Sequence, residues 1–319
     1  MQAGIKRWCG KFALLAITLL AAWPAPAREE PVGATAPPVP LLWKVEGRGG
    51  TLYLLGSFHL LKPTDYPLSA DVMQTLSKAD RLVFELPPAD AQSPDLAARM
   101  LQAARRSDGR RLQDVLDART WAALAAYAER HGMALEPLQT LQPWFVALSI
   151  SIADMTRHGM DPAAGLDHYL MAQAQARGKP AEGLERADEQ IAMLAGMSPK
   201  EQRQLLRETL DEADASAQLR ELHAAWRRGD VQTLSSQMAE DMRRQYPALY
   251  QRINVDRNAR WVPHLTQWLE LRQGKDQGTT LVVVGALHLL GRDGVVERLR
   301  ARGYRVERIC TACGMQTVR

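Results

Sequence analysis

The pattern that most restricts how this chain can fold is written twice. Residues 54–61 read LLGSFHLL and residues 283–290 read VVGALHLL. Each is an apolar run closed by Gly-x-x-His-Leu. A short unbroken apolar run bounded by turn residues reads as a strand buried on both faces. Glycine at its end, Gly56 or Gly285, lets the backbone turn tightly or approach another group closely. The histidine three residues on then stands beyond the strand's carboxyl end, where ligands bind in open α/β sheets. Histidine is unusual at such a position, and here His59 and His288 share one frame.

The surroundings of the two motifs repeat as well. Around the first, LLWKVEGRGGTLYLLGSFH predicts a hairpin turning at GRGG. SADVMQTLSKAD follows as a helix capped by Ser69, then RLVFEL as a strand ending in Glu85 and stopped by Pro87 and Pro88. Around the second, TTLVVVGALH is a strand, DGVVERLRARG a helix closed by Gly303, and YRVERI the last strand. Both units run strand, Gly-x-x-His-Leu, helix, strand. Between them, about residues 91–273 show helical spacing almost throughout, with the short break KPAEGLE at 179–185. The expected fold is α/β: a central mixed sheet of two similar half-units, with a large helical insertion covering it.

The chain ends modify this picture. Residues 1–27 carry Lys6, Arg7 and Lys11, an apolar run of about a dozen residues, and the small-x-small site at Ala25–Ala27. They read as a cleaved export signal, since crossing a bilayer takes roughly 20 apolar residues. Export to the periplasm or medium is therefore expected, with no transmembrane span after cleavage. Residues 28–40 form a Pro-rich leader, residues 41–309 the folded domain, and residues 310–319 a tail carrying Cys310 and Cys313. In an exported protein that CxxC pair reads as a local disulfide, because a zinc knuckle needs a second pair of ligands. The 40 basic and 36 acidic residues give +4, and without the signal's three bases the balance is 37 to 36. Neither that balance nor any basic run with interleaved aromatics supports nucleic-acid binding.

Two histidines with one carboxylate form a common donor set for a divalent metal that acidifies water. His59, His288 and the strand-end Glu85 are such a set if the halves pair. The same trio can act without metal, one histidine being general base. A single strand-end histidine is more often a hydrogen-bonded structural residue, and it is the duplication that favours chemistry here. Asp167 in GLDHYL and Glu185 in GLERADEQ are candidate third ligands or acids, or else helix caps and surface charge. In DRNARW, Arg257 and Asn258 belong either to a solvated face or to the site, with Arg257 binding or orienting a carboxylate such as Glu85. Trp144, Trp226, Trp261 and Trp268 read as core. There is no His-Glu-x-x-His, Gly-x-Ser-x-Gly, Walker loop or Gly-x-Gly-x-x-Gly. Ser57 inside GSFH is a residual nucleophile candidate.

Taken together, LYLLGSFHLLKPTDYPLSADVMQTLSKADRLVFEL, GLDHYLMAQAQARGKPAEGLERADEQIAML, DRNARW and VVVGALHLLGRDGVVERLRARGYRV resemble the TraB/GumN family, also called PrgY/TraB or Tiki-like. The resemblance implies a fold related to erythromycin-esterase-like hydrolases. It also implies a metal-dependent protease-like activity, with Mn, Co or Zn as the cofactor and a peptide or other small acyl compound as substrate. Carried over residue by residue, it implicates Gly56, His59, Glu85, Gly285 and His288, then Asp167, Glu185, Arg257 and Asn258. A sequestering protein without catalysis, and a metal-free esterase-like hydrolase, are the alternatives.

Overall fold

The computed structural model describes residues 36–211, 215–270 and 278–315. The expected export signal and most of the leader lie outside the described residues. Among those described, no helix is long and apolar enough to cross a membrane.

The first hairpin forms where GRGG predicts it. Strand β1 (Leu42–Glu46) runs antiparallel to β2 (Thr51–Ser57), with Glu46 opposite Thr51. Gly47 N–H donates to the Gly50 carbonyl at 3.0 Å to close the turn. Strands β3 (Arg81–Phe84), β4 (Ala181–Gly183), β5 (Thr279–Gly285) and β6 (Arg305–Ile309) complete one six-stranded sheet ordered β4-β3-β5-β2-β1-β6. β1 is antiparallel to both its neighbours, and the pairings among β2, β5, β3 and β4 are parallel. The sheet is therefore mixed, in an α/β fold with a helical insertion.

The order shows how the halves combine. β5, from the second half, is inserted between β2 and β3 of the first. The two Gly-x-x-His strands are thus direct parallel neighbours, and their histidines leave the same end of the sheet. The break at 179–185 is more than a loop. It supplies β4, a three-residue edge strand paired to β3. Three residues are too few for alternation to register in the sequence. Pairing continues past the strands, Glu185 N–H donating to the Glu85 carbonyl at 2.9 Å, so the two glutamates emerge side by side.

Two helices of the insertion bring further groups to this end. The helix Leu166–Ala176 begins against the first motif, with Leu166 N–H donating to the Phe58 carbonyl at 3.0 Å. Only glycine fits at the junction, because a Cβ on Gly165 would lie 2.1 Å from the His59 carbonyl oxygen. The helix Asp256–Glu270 follows a π-helical turn at Gln251–Val255 and buries Arg257, Asn258 and Trp261. Trp144, Trp226 and Trp261 lie in the core, as read from the sequence, and Trp268 packs against it. Cys310 and Cys313 are disulfide-bonded.

The segment after the first motif is anchored separately. Asp65 is buried and accepts hydrogen bonds from His223 Nε2 at 2.7 Å, from the Lys62 amide at 2.8 Å and from Arg227. Burial alone would raise its pKa, but these donors outweigh it and hold the carboxyl below its usual range. A carboxyl depressed in the folded state adds stability above its unfolded pKa of about 4, and that stability is lost as pH falls through the folded value. Asp65→Asn is expected to cost about 3 kcal/mol at neutral pH. It should also flatten the acid limb of stability below pH ~4, as read by urea melts across pH.

Candidate functional site

The sheet register decides what each motif glycine does. Ser57 pairs with Gly285, and Gly56 with Val284, so the two motifs are offset by one residue. Side chains alternate faces along a strand, and paired residues point to the same face. A Cβ on Gly56 would meet Leu41 at 3.1 Å and Ala286 at 3.3 Å. Gly56 therefore serves packing on the opposite face. A Cβ on Gly285 would lie 3.1 Å from Glu85 Oε1 and 3.5 Å from His59 Nε2. Gly285 is absent a side chain because the site occupies that space.

Around it the groups converge. Glu85 Oε1 lies 4.0 Å from His59 Nε2 and 3.8 Å from His288 Nε2. It accepts the Gly285 N–H at 2.7 Å, while Oε2 accepts from Arg257 Nη2 at 2.6 Å. Arg257 is held by Glu185 as well, its Nε donating to both carboxylate oxygens at 3.0 Å and Nη2 lying 2.8 Å from Oε2. Glu185 Oε1 further accepts from Trp261 Nε1 at 3.0 Å and from Arg260 at 3.1 Å. The Trp261 ring lies 4.7 Å from the Arg257 guanidinium and 4.4 Å from the His288 ring. His59, Glu85, Arg257 and His288 are each no more than 3% exposed. Solvent meets the cluster at Asp167 and at Arg260, whose side chains are 11% and 55% exposed.

The hydrogen bonds assign the protons. Asn258 Nδ2 donates to Asn254 Oδ1 and to the His288 and Asp293 carbonyls, which leaves its Oδ1 as an acceptor. His288 Nδ1 must then carry hydrogen to bond that Oδ1 at 2.8 Å. Its Nε2 lone pair accepts from Arg257 Nη1 at 2.9 Å. His59 Nδ1 donates to Asp167 Oδ1 at 2.9 Å. Its Nε2 is buried and has no hydrogen-bond partner among the described residues.

These contacts drive the two imidazoles apart. For His288, burial and the Arg257 charge lower the pKa to about 3, so the ring stays neutral. For His59, burial opposes charge, but the Asp167 carboxylate with its hydrogen bond, and Glu85 behind it, outweigh burial and raise the pKa. For Glu85, burial works against ionisation, yet Arg257, the two histidines and the Gly285 amide hold it far below the carboxylate range. Glu85 is a fixed anion that carries no proton near neutral pH. Of these three groups, His59 is the one whose affinity for a proton is raised.

The structure thus brings together His59, His288, Glu85, Asp167, Glu185, Arg257, Asn258 and Gly285 from distant parts of the chain. It places Gly56 outside the cluster. Two participants were missed. Trp261, read as core, also donates to Glu185. Gln190, from the helix Ala187–Ala195, reaches Glu185 Oε2 at 3.3 Å and had no sequence signal beyond lying five residues after it.

Comparison with known proteins adds an identity at this point. The sequence profile of the TraB/PrgY/gumN family matches residues 41–308. The chain belongs to that family. It is 26% identical over 254 residues to the uncharacterized protein YbaP of Escherichia coli (strain K12), covering 78% of this chain and 87% of that protein. The protein of the same name from Shigella flexneri matches equally. No solved structure matches.

Arg257→Met would leave Glu85 buried without its cation, and Glu185 with only the half-exposed Arg260. Removing one partner of a buried ion pair costs about 3–5 kcal/mol. Chemical denaturation is expected to show a loss of that size, smaller for Arg257→Lys, which keeps the charge but not the fork of donors.

Proposed function

We propose that this chain is an exported hydrolase of peptide or other acyl bonds, with His59 as its general base. One observation carries the reading: the buried Nε2 of His59 lacks a partner while Asp167 fixes its Nδ1 and raises its proton affinity. A base must be neutral, correctly oriented and open on the reacting side. Asp167 orients the His59 ring, no protein group among the described residues engages its Nε2, and the ring becomes neutral above its raised pKa. His288, kept neutral between Asn258 and Arg257, frames the opposite wall. Glu85 sets the negative potential that stabilises His59 once it is protonated. Arg257 keeps Glu85 ionised and in place.

The residues as arranged do not fit a divalent cation on His59, His288 and Glu85. The lone pair of His288 Nε2 already accepts from Arg257 Nη1 at 2.9 Å. Arg257 is held in that place by Glu85 and Glu185 through Nε and Nη2. Among the described residues no group of three His, Cys, Asp or Glu side chains has metal-site spacing. A second reading is hydrolysis supported by a divalent cation such as Mn, Co or Zn. It draws on the local charge, since Glu85 and Glu185 share the buried Arg257 while Asp167 lies against His59. It requires Arg257 to release His288.

The test is turnover of a peptide and acyl-ester panel by the purified chain, with and without chelator. His59→Ala is expected to remove turnover by about 100-fold or more, the scale of general-base catalysis, with chelator changing nothing. Turnover abolished by chelator and restored by metal moves the account to the second reading. Wild-type and His59→Ala proteins that bind panel compounds alike without turnover support sequestration instead. The pH profile has a definite sign. Activity needs neutral His59, so it rises with pH through that group's raised pKa. Asp167→Asn removes the charge that raises it and should shift the acidic limb of kcat/KM to lower pH.

A further inference from the structure

Cys310 and Cys313 share a disulfide that nothing above employs. Both lie in the stretch just after β6, so the bond closes only the loop Cys310 to Cys313 and ties no two elements of the fold together. A disulfide stabilises a fold mainly by restricting its unfolded chain, and it does so less the shorter the loop it closes. Stapling therefore gives little reason for this pair. Its setting is better suited to exchange. Cys313 is exposed, whereas Cys310 is half-buried. The Cys313 N–H donates to Cys310 Sγ at 3.1 Å, so a donor is aimed at that sulfur before it carries any charge. The loop is also held from outside. Thr311 donates through its amide at 2.8 Å and its hydroxyl at 2.6 Å to the Asp71 carboxylate, in the first turn of the helix Ala70–Lys78. That anchor does not depend on the bond between the sulfurs.

We propose that Cys310 and Cys313 form a thiol–disulfide exchange site, which takes two electrons from a dithiol and gives them up again to a disulfide. The site stands apart from the hydrolase reading and does not need it. The exposed sulfur is the one a thiolate can reach, so a thiolate of the incoming dithiol attacks Cys313 Sγ. A bond forms between those two sulfurs as the Cys310–Cys313 bond breaks, and its electron pair leaves on Cys310 Sγ. Exchange is faster the better the leaving sulfur bears charge. The Cys313 N–H, 3.1 Å away, stabilises that thiolate. The second thiolate of the dithiol then attacks its own sulfur in the mixed disulfide and displaces Cys313. The dithiol ends as a disulfide, oxidised by two electrons, and the pair ends as two thiols. The two protons that the dithiol loses pass through solvent to Cys310 and Cys313. A disulfide compound restores the bond by the reverse sequence.

The test exposes the full chain to dithiothreitol, stops the reaction with acid at intervals, and maps free thiols by alkylation and peptide mass. Reduction of the pair is expected to run about fivefold faster in the folded chain than in the chain unfolded in urea, because only the folded state holds the N–H against Cys310. With glutathione as the probe, the first mixed disulfide should sit on Cys313 about tenfold more often than on Cys310. In Cys313→Ser, which keeps the backbone donor, the Cys310 thiol should titrate below the ordinary value of about 8.5, read from the pH dependence of its alkylation. Cys310→Ser combined with Cys313→Ser should shift the thermal midpoint by less than about 10 °C, since the loop is so short. Reduction no faster in the folded chain than in the unfolded one overturns the assignment, as do glutathione adducts shared equally between the sulfurs. A larger thermal loss in the double variant also overturns it, because the bond is then a structural clamp.

Discussion

Everything at the carboxyl end of this sheet is organised around one buried guanidinium. Arg257 spends its donors on Glu85, Glu185 and His288, and its plane lies near the Trp261 ring. Each partner comes from a different part of the chain: the residue after β3, the segment after β4, the motif after β5, and the helix that carries Arg257 itself. A planar fork of five donors suits two carboxylates and a lone pair at once, which a lysine could not do. The arrangement fixes Glu85 as an anion and His288 as a neutral ring. It leaves His59 as the group whose proton affinity answers to Asp167.

That asymmetry gives two similar motifs different duties. Both histidines anchor Nδ1, His59 on a carboxylate and His288 on an amide, so charge pulls a proton toward the first ring only. The one-residue offset between β2 and β5 extends the difference to the glycines. Gly285 clears room for the cluster, whereas Gly56 lets Leu41 and Ala286 pack behind it. The repeated pattern is thus put to unequal use, with a raised proton affinity in the first copy and a lowered one in the second.

Much of this was legible in the sequence. The hairpin, the strands carrying the motifs and the helical insertion all announce themselves by periodicity and turn residues. The repeat itself implied that His59 and His288 share an end of the sheet. Interlocking of the halves, with β5 between β2 and β3, was not legible, because strand order depends on long-range pairing that periodicity does not encode. β4 was too short to alternate. Asp167, Glu185 and Arg257 each read equally well as surface charge, since a buried ion pair and a solvated one have the same letters. Only the packing of the helices Leu166–Ala176 and Asp256–Glu270 against the strand ends separates the two meanings.

The central claim is that two buried imidazoles in one frame hold opposite proton affinities. Nitrogen-15 NMR of selectively labelled histidine, titrated across pH, reads protonation and tautomer at each ring directly. The account predicts that His59 titrates above the ordinary imidazole value of about 6.5. It predicts that His288 remains neutral with hydrogen on Nδ1 throughout the range in which the protein stays folded. A His288 that protonates near neutral pH, or a His59 that stays neutral well below it, would contradict the account.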